Sequence, residues 1–163
     1  MRLFVIGEVV GGAGIAALHG VLRRIKRDTG ADFVIVNGEN AAGNGVLPRQ
    51  ADDIFAAGAD VITLGNHVFG KQQIVPYLDS RSDVLRPANL APQSPGRGWG
   101  IYDGPQGMRL LVMNLIGRCD MKYGPDNPFL CADRILKENE GMYDVALAEN
   151  HANATSEKQA MGF

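Results

Sequence analysis

Four short, mainly apolar runs punctuate the chain: Leu3-Phe4-Val5-Ile6, Phe33-Val34-Ile35-Val36, Val61-Ile62-Thr63-Leu64 and Val145-Ala146-Leu147-Ala148. Runs of this length, bounded by glycine or polar residues, predict strands buried on both faces. After the first run, Ile15, Leu18, Leu22 and Ile25 recur at spacings of three and four. That spacing places them on one face of a helix, which Gly30 stops. Arg23, Arg24, Lys26 and Arg27 near its end read as a solvated face that complements the helix dipole. Pro48 opens a second helix carrying Ile54 and Phe55 and closed by Gly58, and a third is expected over about 72–78. Strand and helix alternate in this first half, which predicts right-handed crossovers and a mainly parallel sheet covered by helices.

The second half begins differently. Residues 99–102 and 109–115 read as two strands around Gly104-Pro105-Gln106-Gly107, an antiparallel hairpin. A loop over 117–128 leads to a helix from Pro128 to about 139, and the fourth core strand comes after it. The fold class is therefore α/β, with mainly parallel core strands, helices and one hairpin. Residues 1–163 are expected to form a single domain.

Composition narrows the partners. Sixteen basic and 18 acidic side chains leave a net charge of −2, which argues against a chain built to neutralise nucleic-acid phosphates. The two cysteines, Cys119 and Cys131, match no zinc spacing and no disulfide scaffold. The N-terminal apolar run is shorter than the roughly 7–15 residues of a signal peptide, and nowhere is there the run of about 20 a membrane helix needs. A cytoplasmic location is expected. The 21 glycines match no collagen period, so they serve turns and close backbone approaches.

The candidate chemistry lies at the end of each core strand. Glu8 stands after the first, Glu39 and Asn40 after the second, Asn66 and His67 after the third, and His151 after the fourth. Ligands of open parallel sheets bind beyond the carboxyl ends of the strands, so four such endings aim potential ligands at one crevice. Carboxylate, amide and imidazole together suit Mn, Fe or Zn better than a thiolate site or an all-oxygen calcium cage. A pair of such ions about 3.5–4 Å apart can clamp a phosphoryl group and activate a water, with a carboxylate such as Glu39 able to bridge them. His67, beside Asn66, is placed to protonate a leaving alkoxide.

Gly12-Ala13-Gly14-Ile15-Ala16-Ala17 offers a rival, since it fits the dinucleotide fingerprint G-x-G-x-x-[GA]. Four residues separate it from Gly7 at the end of the first strand, however, and a plain tight turn into a helix N-terminus is the better reading. His19 lies mid-helix without a partner signal. Asn153-Ala154-Thr155 matches a glycosylation sequon that carries no weight without a secretion signal, and Ser156 belongs to no recognisable triad.

The strings FVIGEVVG, VNGENAAGNG, ITLGNHVFG, RPANLAP and HANATSEKQAMG, in this order, resemble the bacterial YmdB-like metallophosphoesterases, calcineurin-type hydrolases associated with 2',3'-cyclic nucleotides. The resemblance covers essentially the whole chain. It implies a layered α/β metallophosphoesterase fold around two divalent ions (Fe, Mn or Zn) and hydrolysis of a small phosphodiester or cyclic nucleotide. Glu8, Glu39, Asn40, Asn66 and His151 fall on its metal-ligand positions, and His67 on its general-acid position. No membrane, nucleic acid or nicotinamide is implied, and a homo-oligomer is left open.

The sequence also departs from the family pattern. Glu8 stands where the family has Asp, and its extra methylene displaces the carboxylate by roughly 1 Å, enough to cost about 100-fold in a tuned site. Glu149, Asn150 and Asn153 differ from the usual surroundings of the last histidine. The family continues beyond the MGF motif to a G-x-H-x-H segment with two further ligands, whereas this sequence ends at Phe163. The expectation is an incomplete fold and metal centre, with one ion or none retained, apolar surface left for a partner to cover, and poor turnover. A non-catalytic nucleotide-binding or regulatory module on the same scaffold is the alternative.

Overall fold

The computed structural model describes residues 1–121 and 124–162; Lys122 and Tyr123 of the expected 117–128 loop, and Phe163, lie outside the described residues. The elements run β1 (Leu3–Glu8), α1 (Gly11–Thr29), β2 (Phe33–Asn37), α2 (Pro48–Ala57), β3 (Val61–Thr63), α3 (Ile74–Ser80) and β4 (Val84–Leu85). They continue with β5 (Trp99–Asp103), β6 (Arg109–Ile116), α4 (Pro128–Glu138), β7 (Val145–His151) and α5 (Thr155–Ala160). The first four strands pair in sequence order, all parallel. Successive right-handed crossovers that always advance in one direction put every connecting helix on the same face. The opposite face of that sheet must then be covered by something else.

Side-chain alternation shows what covers it. Val34, Val36, Ile62 and Val84 point toward Leu18 and Leu22 of α1, Ile54 of α2 and Leu78 of α3. Their neighbours Phe33, Ile35, Val61 and Leu85 point the other way and pack against Leu110 and Val112 of β6. Strand β6 is the centre of a second sheet, antiparallel to β5 and parallel to β7. Its outer residues Leu111, Met113 and Leu115 meet Cys131, Ala132 and Ile135 of α4. The result is a four-layer α/β fold: helices, parallel sheet, mixed sheet, helix.

Three expectations change. The strand at Val145 is not a core strand buried on both faces: it is an edge strand of the second sheet, paired with β6 rather than β3, and Ala146 and Ala148 are exposed. The run at Leu3 is not buried on both faces: β1 is an edge strand, and Val5 is 48% exposed. Gly12 and Gly14 lie within α1 rather than in a turn before it, so no glycine-rich phosphate loop separates strand from helix. Gly30 does end α1 as expected, at φ +63°, its N–H returning to the carbonyls of Arg27 and Lys26. Strand β4 and helix α5 have no counterpart among the expected elements. No described helix is long and apolar enough to cross a membrane.

Toward the carboxyl ends of the strands the contact between sheets turns polar. Asn114, fully buried in β6, donates from Nδ2 to the carbonyl oxygens of Leu64 at 2.5 Å and Leu85 at 2.9 Å. The Leu85 oxygen also accepts from the Leu64 N–H, so Leu64 depends on Asn114 more heavily. Asn114→Leu keeps the branched outline in a larger side chain but leaves a buried carbonyl without its donor. Urea unfolding should show a loss of about 1–3 kcal/mol, whereas unchanged stability would mean that this bridge is dispensable.

Candidate functional site

All four elements that end in candidate ligands deliver them to one cleft of about 800 Å³, lined among others by Glu8, Glu39, Asn66, His67 and His151. Strand β1 reaches it through a register shift between Ile6 and Glu8, which sets Glu8 opposite Asn37. Bulges of this kind re-aim a side chain at the end of a ladder. The Glu8 carboxylate accepts a hydrogen bond from Asn40 Nδ2. Asn40 is thereby brought to the site with the others.

Glu39 is the centre of the cluster and only 2% exposed. Its Oε1 stands 3.2 Å from His151 Nε2 and 3.7 Å from His67 Nδ1, and accepts from Asn40 Nδ2 at 3.2 Å. Its Oε2 accepts from the His67 backbone N–H at 3.3 Å. His151 Nε2 also lies 3.1 Å from Asn66 Oδ1. The Asn40 amide donates to both carboxylates, so its Oδ1 faces His67 Nδ1 at 3.0 Å. In that network the Nδ1 atom carries the proton, and the other ring nitrogen of His67 is left for chemistry.

Gly65 makes this packing possible. A Cβ at that position would overlap the Glu39 carboxylate and come within 2.8 Å of His151 Cδ2. The loop after β3 therefore passes directly under the buried acid, and only glycine fits.

Residues that sequence reasoning missed include Asn37, Glu149 and Lys158, which line the cleft, and Glu157, which braces the loop beside it. Glu149 is held between the sheets: its Oε1 accepts from Asn37 Nδ2 at 2.5 Å and its Oε2 from the Thr63 hydroxyl. Burial pushes the Glu149 carboxyl above the usual glutamate range, the Thr63 and Asn37 hydrogen bonds and nearby His151 offset part of this, and the Glu39 charge adds to the rise. Glu157 and Lys158 come from α5. The Glu157 carboxylate accepts from the backbone N–H groups of Arg118 at 2.8 Å and Cys119 at 3.2 Å, tying the loop after β6 to the helix. Among the described residues, Lys158 is the one lysine or arginine lining the cleft. A strand-end signal existed for Asn37 and Glu149, which close β2 and flank His151; none existed for α5.

The donor set fits a divalent metal. An almost fully buried carboxylate is costly without a cation, yet among the described residues Glu39 has no lysine or arginine partner. Its carboxylate contacts are the Asn40 amide, a backbone N–H and two imidazoles. Among the described residues no three His, Cys, Asp or Glu side chains form a metal-binding group by themselves, so the amide oxygens of Asn40 and Asn66 would have to take part. Mixed oxygen and nitrogen donors of this kind suit Mn, Fe or Zn.

Comparison with known proteins shows the family and the fold. The YmdB-like protein family matches residues 4–163. The chain is 37% identical to a Bacillus subtilis 2',3'-cyclic-nucleotide 2'-phosphodiesterase, over all of this chain and 61% of that protein. A crystal structure of a hypothetical protein from Thermus thermophilus superposes with a TM-score of 0.88 at 36% identity, over 99% of this chain and 62% of that one. A Mycoplasma pneumoniae phosphatase also gives 0.88, at 27% identity, with 99% and 58% covered. The chain thus spans about three-fifths of the length of these relatives.

The raised Glu149 pKa has a testable sign. A carboxyl whose native pKa exceeds its unfolded value favours folding while protonated and loses that benefit as pH rises. In chelator, Glu149→Gln should match the parent below the ordinary glutamate value of 4.5 and gain on it as pH rises through the native pKa, then level off. Thermal melts across pH check this; an advantage for Gln that shrinks with rising pH would refute the cause given.

Proposed function

The chain belongs to the YmdB-like protein family, and on that premise we propose that it is a metal-dependent phosphodiesterase acting on small phosphodiesters of the 2',3'-cyclic nucleotide class. The observation that carries this reading is the convergence of Glu8, Glu39, Asn40, Asn66 and His151 around one buried carboxylate, with His67 at the rim of the same cleft. The substrate class comes from the Bacillus subtilis relative.

Glu8, Glu39, Asn40, Asn66 and His151 would hold the divalent metal, with Glu39 placed centrally enough to serve two ions. Bound there, the metal would supply Lewis acidity toward a phosphoryl oxygen and an activated water. The chain's own groups would do the rest. Asn40, fixed by Glu8 and Glu39, would orient His67 through Nδ1. His67 would act in its doubly protonated form, giving the proton on its other ring nitrogen to the leaving ribose oxygen while Nδ1 keeps its proton against Asn40. Lys158 would attract and align the phosphate from the α5 wall.

Two substrates separate the His67 role from simple damage. With Mn²⁺, His67→Ala should lower turnover of 2',3'-cyclic AMP by about 10²–10⁴-fold. Turnover of bis-p-nitrophenyl phosphate should fall much less, because nitrophenolate leaves readily as the anion. Equal losses on both would remove His67 from the acid role. Lys158→Ala should raise KM for either substrate with little change in kcat, and a KM unchanged by it would exclude phosphate alignment by this residue.

A further inference from the structure

A second cavity, of about 720 Å³, opens between the segment after β4, the start of β5 and the N-terminal half of α4, and shares no lining residue with the cleft described above. Arg86 lines it and is only 6% exposed. Its Nη1 donates to the Pro87 carbonyl at 2.7 Å, while its Nε has no hydrogen-bond partner among the described residues. No carboxylate among them lies within ion-pairing distance of it. A buried guanidinium so placed is expensive unless an anion joins it.

The backbone that holds Arg86 is firmly built. Its N–H donates to the Arg97 carbonyl at 2.8 Å. A Cβ on Gly98 would overlap Ala88, so β5 lies directly against this segment. Arg134 lines the same cavity, its Nη2 3.7 Å from Cys131 Sγ. Its Nη1 is in an exposed ion pair with Glu138 Oε2 at 3.4 Å, with which a bound phosphate would have to compete. Burial raises the Cys131 pKa, so the thiol stays neutral and does not serve as counter-ion. Asp126 is also on the wall, exposed and paired with neither arginine. Trp99 supplies a flat apolar side.

We propose that this cavity binds the phosphate group of a nucleoside monophosphate, with Arg86 and Arg134 as the anion-binding pair and the Trp99 indole against the base. Guanidinium pairs match phosphate oxygens in geometry and charge, and an indole face stacks on any base. The site is independent of the metal cleft and of the reaction proposed for it.

Trp99 is the chain's single tryptophan, so intrinsic fluorescence reads this cavity alone. In chelator, AMP should change Trp99 emission saturably, whereas adenosine at equal concentration should not. Arg134→Gln, an exposed substitution, should weaken AMP by about tenfold. Arg86→Met should abolish the response and, by removing an uncompensated buried charge, leave the unliganded melting temperature equal or higher. No saturable change up to about 10 mM AMP, an equal response to adenosine, or an affinity untouched by Arg134→Gln would overturn the proposal.

Discussion

The Glu149 carboxylate crosses from one sheet to the other, and the arrangement of the cleft depends on that crossing. One oxygen takes the Asn37 amide at the end of β2, and the other takes the Thr63 hydroxyl at the end of β3. Two residues further along β7 stands His151, whose distance to Glu39 is thereby set from the opposite layer. Apolar burial drives the two sheets together but does not choose how they align, because dispersion and hydration are nearly indifferent to small slides. Directional polar contacts at one end, from Glu149 and from Asn114, supply the missing specificity.

This arrangement is not free. Glu39 is almost wholly removed from water and Glu149 partly so, and the charge of Glu39 opposes ionisation of Glu149. Neither has a lysine or arginine partner among the described residues, so neutral donors bear the load. Interiors tolerate such groups only where the surrounding structure fixes them. Here the fixing is steric as well as polar, since the loop at Gly65 leaves no space for a side chain under the Glu39 carboxylate. The large apolar clusters on either side of the first sheet provide the stability against which this local cost is set.

Much of this was legible in the sequence, for identifiable reasons. Four apolar runs with polar endings marked the strands and the positions of Glu8, Glu39, Asn40, Asn66, His67 and His151, because parallel strands end their backbone pairing where side chains can turn to a ligand. The division into two sheets was not legible. Periodicity reports that a strand is buried and is silent on its neighbour, so β7 could not be told from a fourth strand of the first sheet. Strand β4 has two residues, too few for any period, and the six residues of α5 present no apolar stripe. Glu149 looked like one polar residue among several after a strand; its importance comes from Thr63 and Asn37, which are distant in sequence and meet it only when the sheets dock.

Because the cleft draws Glu8, Glu39 and Asn66 from one sheet and Glu149 and His151 from the other, neither half of the molecule owns it. A slip of a single residue along a strand, about 3.3 Å, would carry His151 out of reach of both Glu39 and Asn66. A folding intermediate with only one sheet formed would hold half of the donors and none of their mutual geometry. Any ligand that selects this cluster therefore acts as an inspector of assembly, drawing its binding energy only from molecules whose two sheets have closed in the correct alignment.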